Sequence, residues 1–273
     1  TQETGGLFTV SAVITDNDAS RSAETTVREF AAASPLPVRY CVETRQNVPL
    51  ARNRALESAS GDYIAFLDDD EFPAPRWLLT LFETCNRSGV AGVLGPVKPY
   101  FDEKTPKWVV KGKFYDRPVF PTGLPLQWNK GRTGNVLFKK EILPQDEPPF
   151  RSQFRGGGAD QDFFRRMIEN GHTFIWCDDA VAYEYVPPVR WKRSFMLRKA
   201  LLRGGVTPLH PSFGFRDVVK SLIAVPLYSL AMPFALLIGH ERFMALMIKV
   251  CDHLGRLLAC MGIKPIKAAY VTE

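Results

Sequence analysis

The chain has 273 residues, 45% hydrophobic and 23% charged, which excludes intrinsic disorder and supplies one full α/β core with a smaller appendage. A formal net charge of +6 suits an anionic partner, and on charge alone that is a nucleotide phosphate, a membrane surface or a nucleic acid. Cys41, Cys85, Cys177, Cys251 and Cys260 form no C-x-x-C pair, so a disulfide framework and a zinc site are both disfavoured and a reducing compartment fits best.

Thr1 to Gly6 carries neither the basic flank nor the apolar run of a signal peptide. A strand is expected almost at once, over residues 8–14, and a strand ahead of it is expected to be missing from the sequence. Further strands are expected at 38–42, 63–67 and 90–94. Helical patterns at 23–33, 50–59 and 77–86 alternate with them. This alternation predicts βαβ units and a mostly parallel sheet flanked by helices. Carboxylates gather just past strand ends, where open α/β sheets place their ligands: Asp16 and Asp18 after the first, Asp68 to Glu71 after the third.

Residues 98–155 are rich in proline, basic and aromatic side chains without periodicity, which predicts long functional loops with a few irregular strands. Gly156 to Gly158 then lead into a helix at 159–170, headed by Asp160 and Asp162 and stopped by Gly171. After Pro187 the chain turns basic, with Arg190, Lys192, Arg193, Arg198, Lys199 and Arg203 interleaved with Trp191, Phe195 and Leu197. Residues 221–239 carry no ionisable charge over roughly the length that spans a bilayer, and Pro226 and Pro233 are expected to kink them. Residues 243–261 read as an amphipathic helix lying against protein or lipid.

Three consecutive aspartates after a buried-type strand repel one another unless a cation offsets them, and hard oxygen ligands on a short loop suit Mg²⁺ or Mn²⁺. A solvated acidic turn is the alternative for such a triplet, and its place after residues 63–67 favours the metal. Asp16 is either a turn residue or an acceptor for a base-ring N–H. Arg52, near the start of a helix, either addresses phosphate or lies on the surface. Of Asp160 and Asp162, one can cap the helix, while Asp160 as a general base would take a proton from an acceptor hydroxyl. The basic aromatic segment beside the apolar run favours a membrane surface over nucleic acid. No H-E-x-x-H, G-x-S-x-G or P-loop pattern occurs, which removes zincin, α/β-hydrolase and P-loop chemistry.

Thr15-Asp16-Asn17, Asn47 with Ala51-Arg52-Asn53, Gly61-Asp62-Tyr63 leading to Asp68-Asp69-Asp70, and Ala159-Asp160-Gln161-Asp162 resemble family 2 glycosyltransferases in order and spacing, over most of residues 7–190. Gly131 to Val136 and Tyr185 to Pro188 are similar to the branch that builds bacterial exopolysaccharides of the succinoglycan type. The resemblance implies a GT-A, Rossmann-like catalytic domain over residues 1–190 and a helical membrane-associated region over 191–273. It implies an inverting transferase that moves a hexose from a UDP-sugar to a lipid-linked oligosaccharide at the cytoplasmic face of the plasma membrane. In that reading Asp16 holds the base, Asp69 with Asp68 the ribose and phosphate region, and Asp70 a divalent metal. Arg52 steadies the diphosphate, Asp162 contacts substrate and Asp160 is the base. Ala159 stands where the family usually has Glu. Only Arg190-Trp191 remains of the processive Q-x-x-R-W signature, which implies single addition. A non-catalytic, membrane-associated remnant of the same fold is the competing reading, and a metal-dependent phosphohydrolase a weaker third.

Overall fold

The computed structural model describes residues 2–209 and 213–266. The chain divides into two compact units. The first runs to Lys98 and resumes over residues 117–184; the second takes residues 99–116 and the chain from Tyr185 onward. Part of the central loop region, residues 99–116, thus groups with the C-terminal helices.

In the first unit β1 (Ala12–Asp16), α1 (Glu24–Ala33), β2 (Val38–Val42), α2 (Val48–Ser58) and β3 (Tyr63–Leu67) follow the expected alternation. Next come β4 (Glu71–Pro73), α3 (Trp77–Ser88), β5 (Gly92–Leu94) and β6 (Val97–Tyr100), the last leading into the second unit. The chain returns through β7 (Asn135–Lys139), α5 (Ala159–Glu169), β8 (Phe174–Trp176) and β9 (Ala182–Tyr185). Local chemistry sets the helix ends. Pro49 occupies the first turn of α2, where its missing N–H costs nothing. Gly89, with φ +63°, closes α3 in the left-handed conformation that side chains avoid.

The strands form three sheets: β1-β2 parallel, β3-β7-β5-β8 mixed, and β4-β9-β6. The four-stranded sheet is less parallel than the alternation predicts, because β7 emerges from the proline-rich stretch and runs antiparallel between β3 and β5. Its side chains obey the two-residue period of a strand. Val136 and Phe138 pack with Phe163, Phe164 and Met167 of α5 on one face, while Leu137 packs with Trp77, Leu81 and Cys85 of α3 on the other. β1 and β3 are edge strands, and a cleft of about 510 Å³ is lined by Val13 and by all of β3.

In the second unit α4 (Lys107–Lys111) and α6 (Pro188–Trp191) are short, and α7 (Arg193–Val206), α8 (Phe215–Ile238) and α9 (His240–Cys260) are long. Val109, Met196 and Met244 form their core, with Trp108, Phe114 and Trp191 packed around it. α8 is a single helix through Pro226 and Pro233 and is opened by Asp217, which accepts the Gly214 N–H at 3.1 Å. Among the described residues it is the one helix long and apolar enough to cross a membrane, with only 17% of its apolar window buried.

α7 and α9 cross backbone to backbone at two glycines. A Cβ at Gly204 would lie 2.0 Å from the Asp252 carbonyl oxygen, and one at Gly255 would lie 2.3 Å from that of Leu201. Gly255→Ala must push the helices apart, so a loss of about 1–3 kcal/mol is expected. Chemical unfolding in detergent checks it, and an unchanged midpoint would refute the close crossing.

Between α8 and α9, Ser221 and His253 are buried, with His253 Nδ1 and Ser221 Oγ 3.0 Å apart and Arg256 Nη1 donating to Ser221 Oγ at 3.2 Å. Desolvation first, and the Arg256 charge next, hold His253 below the ordinary imidazole range. The unfolded chain therefore binds a proton that the folded one resists, so stability falls as pH drops below about 6.5. Melting curves at pH 7.5 and 5.5 are expected to show this fall, and His253→Gln is expected to flatten it.

Candidate active site

β3 ends at Leu67, which pairs with Asn135 at the start of β7, so the turn after β3 and the residues before β7 face each other. Asp68 N–H donates to Glu71 Oε2 at 3.4 Å and Glu71 N–H to the Asp68 carbonyl at 3.1 Å, which folds the acidic run into a tight turn. Gly134 is required beside it. A Cβ there would lie 2.8 Å from Glu71 Oε1 and 2.9 Å from Asp68 Oδ2.

Asp68, Asp70 and Glu71 each offer a carboxylate oxygen, and these oxygens all lie within 4.8 Å of one another. The Glu71 side chain is fully buried, and burial followed by the Asp68 charge raises it to about 8 despite Arg117 nearby. Desolvation also raises Asp68, against the attraction of Arg52. Such crowding of hard oxygen donors fits Mg²⁺ or Mn²⁺. The cluster brings the expected Asp70 together with Asp68 and Glu71 and leaves Asp69 exposed outside it.

Arg52 on α2 joins this cluster to α5. Its Nη1 donates to Asp160 Oδ1 at 2.5 Å, its Nη2 lies 3.7 Å from Asp68 Oδ1, and its guanidinium stacks 5.6 Å from the Phe150 ring centroid. Thr133 N–H donates to Asp160 Oδ2 at 3.4 Å. Asp160, first-turn residue of α5 behind the left-handed Gly158, keeps 29% of its side chain exposed and so remains reachable. The Thr133 hydroxyl is buried and has no hydrogen-bond partner.

Asp162 is directed elsewhere, because residues two apart on a helix do not share a face. It is buried against Arg166, whose Nε donates to its Oδ2 at 3.0 Å, and is joined by Arg151 and Arg165 at 3.5 Å. Its contacts therefore belong to a structural ion-pair network rather than to the group around Asp160. Asp16 ends β1, where its carboxylate accepts from Asp18 N–H at 3.1 Å, Ala23 N–H at 2.9 Å and Tyr40 OH at 2.8 Å. About one lone-pair position of roughly four remains for a ligand.

Two linkages are not marked by the sequence patterns. Asn17 accepts from Asn47 N–H at 2.9 Å, fixing the loop after β1 to the start of α2. Arg117 bridges Glu71 and Glu184 across separations of 46 and 67 residues, which no local motif reveals.

The sequence profile of glycosyl transferase family 2 matches residues 9–153. The chain belongs to that family. Among characterised relatives, the succinoglycan biosynthesis protein ExoM of Rhizobium meliloti is 32% identical over 194 residues, 70% of this chain and 62% of that protein. Glycosyltransferase AglE of Haloferax volcanii is 24% identical over 174 residues, 62% of this chain and 54% of that one. The chondroitin synthase of Escherichia coli is 24% identical over 218 residues, 67% of this chain and 31% of that one. The chain thus spans less than two thirds of the length of each. The crystal structure of S. aureus TarS aligns with a TM-score of 0.50 at 15% identity, covering 91% of this chain and 49% of TarS. That likeness concerns the fold, which in this family 2 member is the α/β GT-A type.

Proposed function

We propose that this family 2 member is an inverting glycosyltransferase. It moves a hexose from a UDP-sugar to a hydroxyl of a lipid-linked oligosaccharide, in exopolysaccharide or cell-surface glycan synthesis. The observation that carries the reading is the convergence of Arg52 and Asp160 beside the Asp68, Asp70 and Glu71 oxygens. A divalent cation held there would neutralise charge developing on the leaving diphosphate.

Arg52 pairs with Asp160. A diphosphate offers its guanidinium a bidentate partner, and Arg52 leaving for that partner frees the Asp160 carboxylate. Asp160 then takes the acceptor hydroxyl proton as that oxygen attacks the anomeric carbon. The new C–O bond forms opposite the one that breaks, UDP departs with the electron pair, and the anomeric configuration inverts without an enzyme nucleophile. Asp16 and Asp69 are assigned to the base and the ribose or phosphate region. Asp162 acts on substrate only indirectly, by holding the start of α5.

α8 supports membrane attachment, peripheral or through this one segment, and the cytoplasmic face is assigned with the nucleotide-sugar donor. Leu222, Ile223, Leu227, Leu230, Phe234 and Leu237 are all exposed on it, and α7 carries Arg193, Arg198 and Lys199 of the basic segment expected to meet anionic lipid. The test is transfer of labelled sugar from UDP-sugars to lipid-linked oligosaccharide by detergent-solubilised protein, with NMR assignment of the new linkage. Inversion is expected; a retained configuration would exclude the single displacement.

A further inference from the structure

Apart from the residues assigned to transfer, a small cavity of about 120 Å³ lies in the first unit. Val97, Phe120 and Trp176 give it an apolar wall, while Arg117, Lys130 and Arg132 add three cations. Phe120 and Trp176 meet edge to face at 5.2 Å. Trp176 is only 7% exposed, and its Nε1 is buried with no acceptor.

An orphaned buried N–H is costly enough that native folds seldom keep one without a ligand or water to satisfy it. Asn135, which also borders the cavity, is already committed: it accepts from Trp77 Nε1 and donates to the carbonyls of Pro96 and Ala180. Arg117 is engaged by Glu71 and Glu184. Among the described residues no carboxylate forms an ion pair with Lys130 or Arg132. Lys130 and Arg132 are both exposed, so their head groups keep their charge while reaching the cavity. Apart from the exposed Asn129 amide, the uncommitted polar side-chain groups at this cavity are donors, Trp176 Nε1, Lys130 and Arg132, and two of these three are cationic. The matching ligand group is a compact anion that only accepts. The volume equals about four water molecules at ~30 Å³ each, enough for a carboxylate and the adjoining part of a pyranose but not for a nucleoside. The two rings stand nearly perpendicular, so one of them at a time can meet the C–H face of a sugar ring.

We propose that this cavity is a subsite for a carboxylate-bearing saccharide unit of the hexuronate class, whose carboxylate is received by the Trp176 N–H with Arg132 and Lys130. The inference rests on the glycosyltransferase reading only in taking the ligand to be a saccharide.

The test is ligand-observed NMR on the whole chain in detergent at fixed ionic strength, with glucuronate, glucose and inorganic phosphate as probes. UDP binding with Mn²⁺ is measured on the same sample. Glucuronate is expected to bind at least tenfold tighter than glucose and to lose about tenfold on Arg132→Met. Trp176→Phe, which keeps an aromatic wall and removes the N–H, is expected to weaken glucuronate severalfold while leaving UDP binding unchanged. UDP-glucuronate displacing both UDP and free glucuronate would put the carboxylate on the donor sugar. Free glucuronate binding together with UDP-glucose would put it on the acceptor; both outcomes support the subsite. Equal binding of glucose and glucuronate, no binding of glucuronate, or phosphate outcompeting it would each overturn the proposal. Binding of UDP without glucuronate would fail this inference alone, and glucuronate without UDP would fail the transferase reading alone.

Discussion

Asp160→Asn is expected to lower the transfer rate by about 10²–10⁴-fold, because the amide keeps the size of the carboxylate and cannot take a proton. The variant should still accept the Thr133 N–H through its amide oxygen, as Asp160 does at 3.4 Å. It loses the charge partner of Arg52, but that pair is partly exposed, at 17% and 29% of the side chains, so stability should shift by no more than about 1 kcal/mol. Affinity for UDP should be unchanged or higher, since Arg52 no longer has to leave a carboxylate to meet the diphosphate. Steady-state transfer, a melting curve and UDP titration separate these effects. Full activity with normal folding would remove Asp160 from the reaction.

Asp70→Ala is expected to weaken metal-dependent UDP binding at least tenfold, because it takes one of three converging oxygen donors from the Asp68, Asp70 and Glu71 cluster. Asp69→Ala should leave direct Mn²⁺ binding nearly intact, since Asp69 lies outside that cluster, and should act instead on nucleotide affinity. Mn²⁺ electron paramagnetic resonance without nucleotide, followed by UDP titration, tells the two apart. Equal loss of metal in both variants would contradict the ligand set.

The sequence makes the scaffold of this site legible because its signals are local. A β-branched or apolar run followed by Asp68 to Asp70 marks a strand end, and β3 spans the expected residues. Pro49 and Asn47 mark the start of α2, and Gly158 marks that of α5. These starts deliver Arg52 and Asp160 to one place. The partnerships formed there are not legible, because each joins residues remote in sequence. Arg52 and Asp160 are 108 residues apart, and Thr133 and Asp160 are 27 apart. Arg52, expected at a phosphate, pairs with Asp160, the expected base. β7 was hidden because residues 98–155 lack periodicity outside its short run, yet its placement between β3 and β5 carries Thr133 and Gly134 to the acidic turn. Asp160 and Asp162 look equivalent in sequence, and helical geometry separates them into the site and a structural ion-pair network.

We assign the acidic turn after β3, with Arg52 and Asp160, to a nucleotide diphosphate and its metal. Calorimetric titration of the purified chain in detergent with UDP, GDP and ADP, each with and without Mn²⁺, tests it most directly. A preference for UDP that appears only with Mn²⁺, and is lost in Asp70→Ala, is the predicted result. Binding indifferent to both metal and base, or no binding to any of the three, would contradict it.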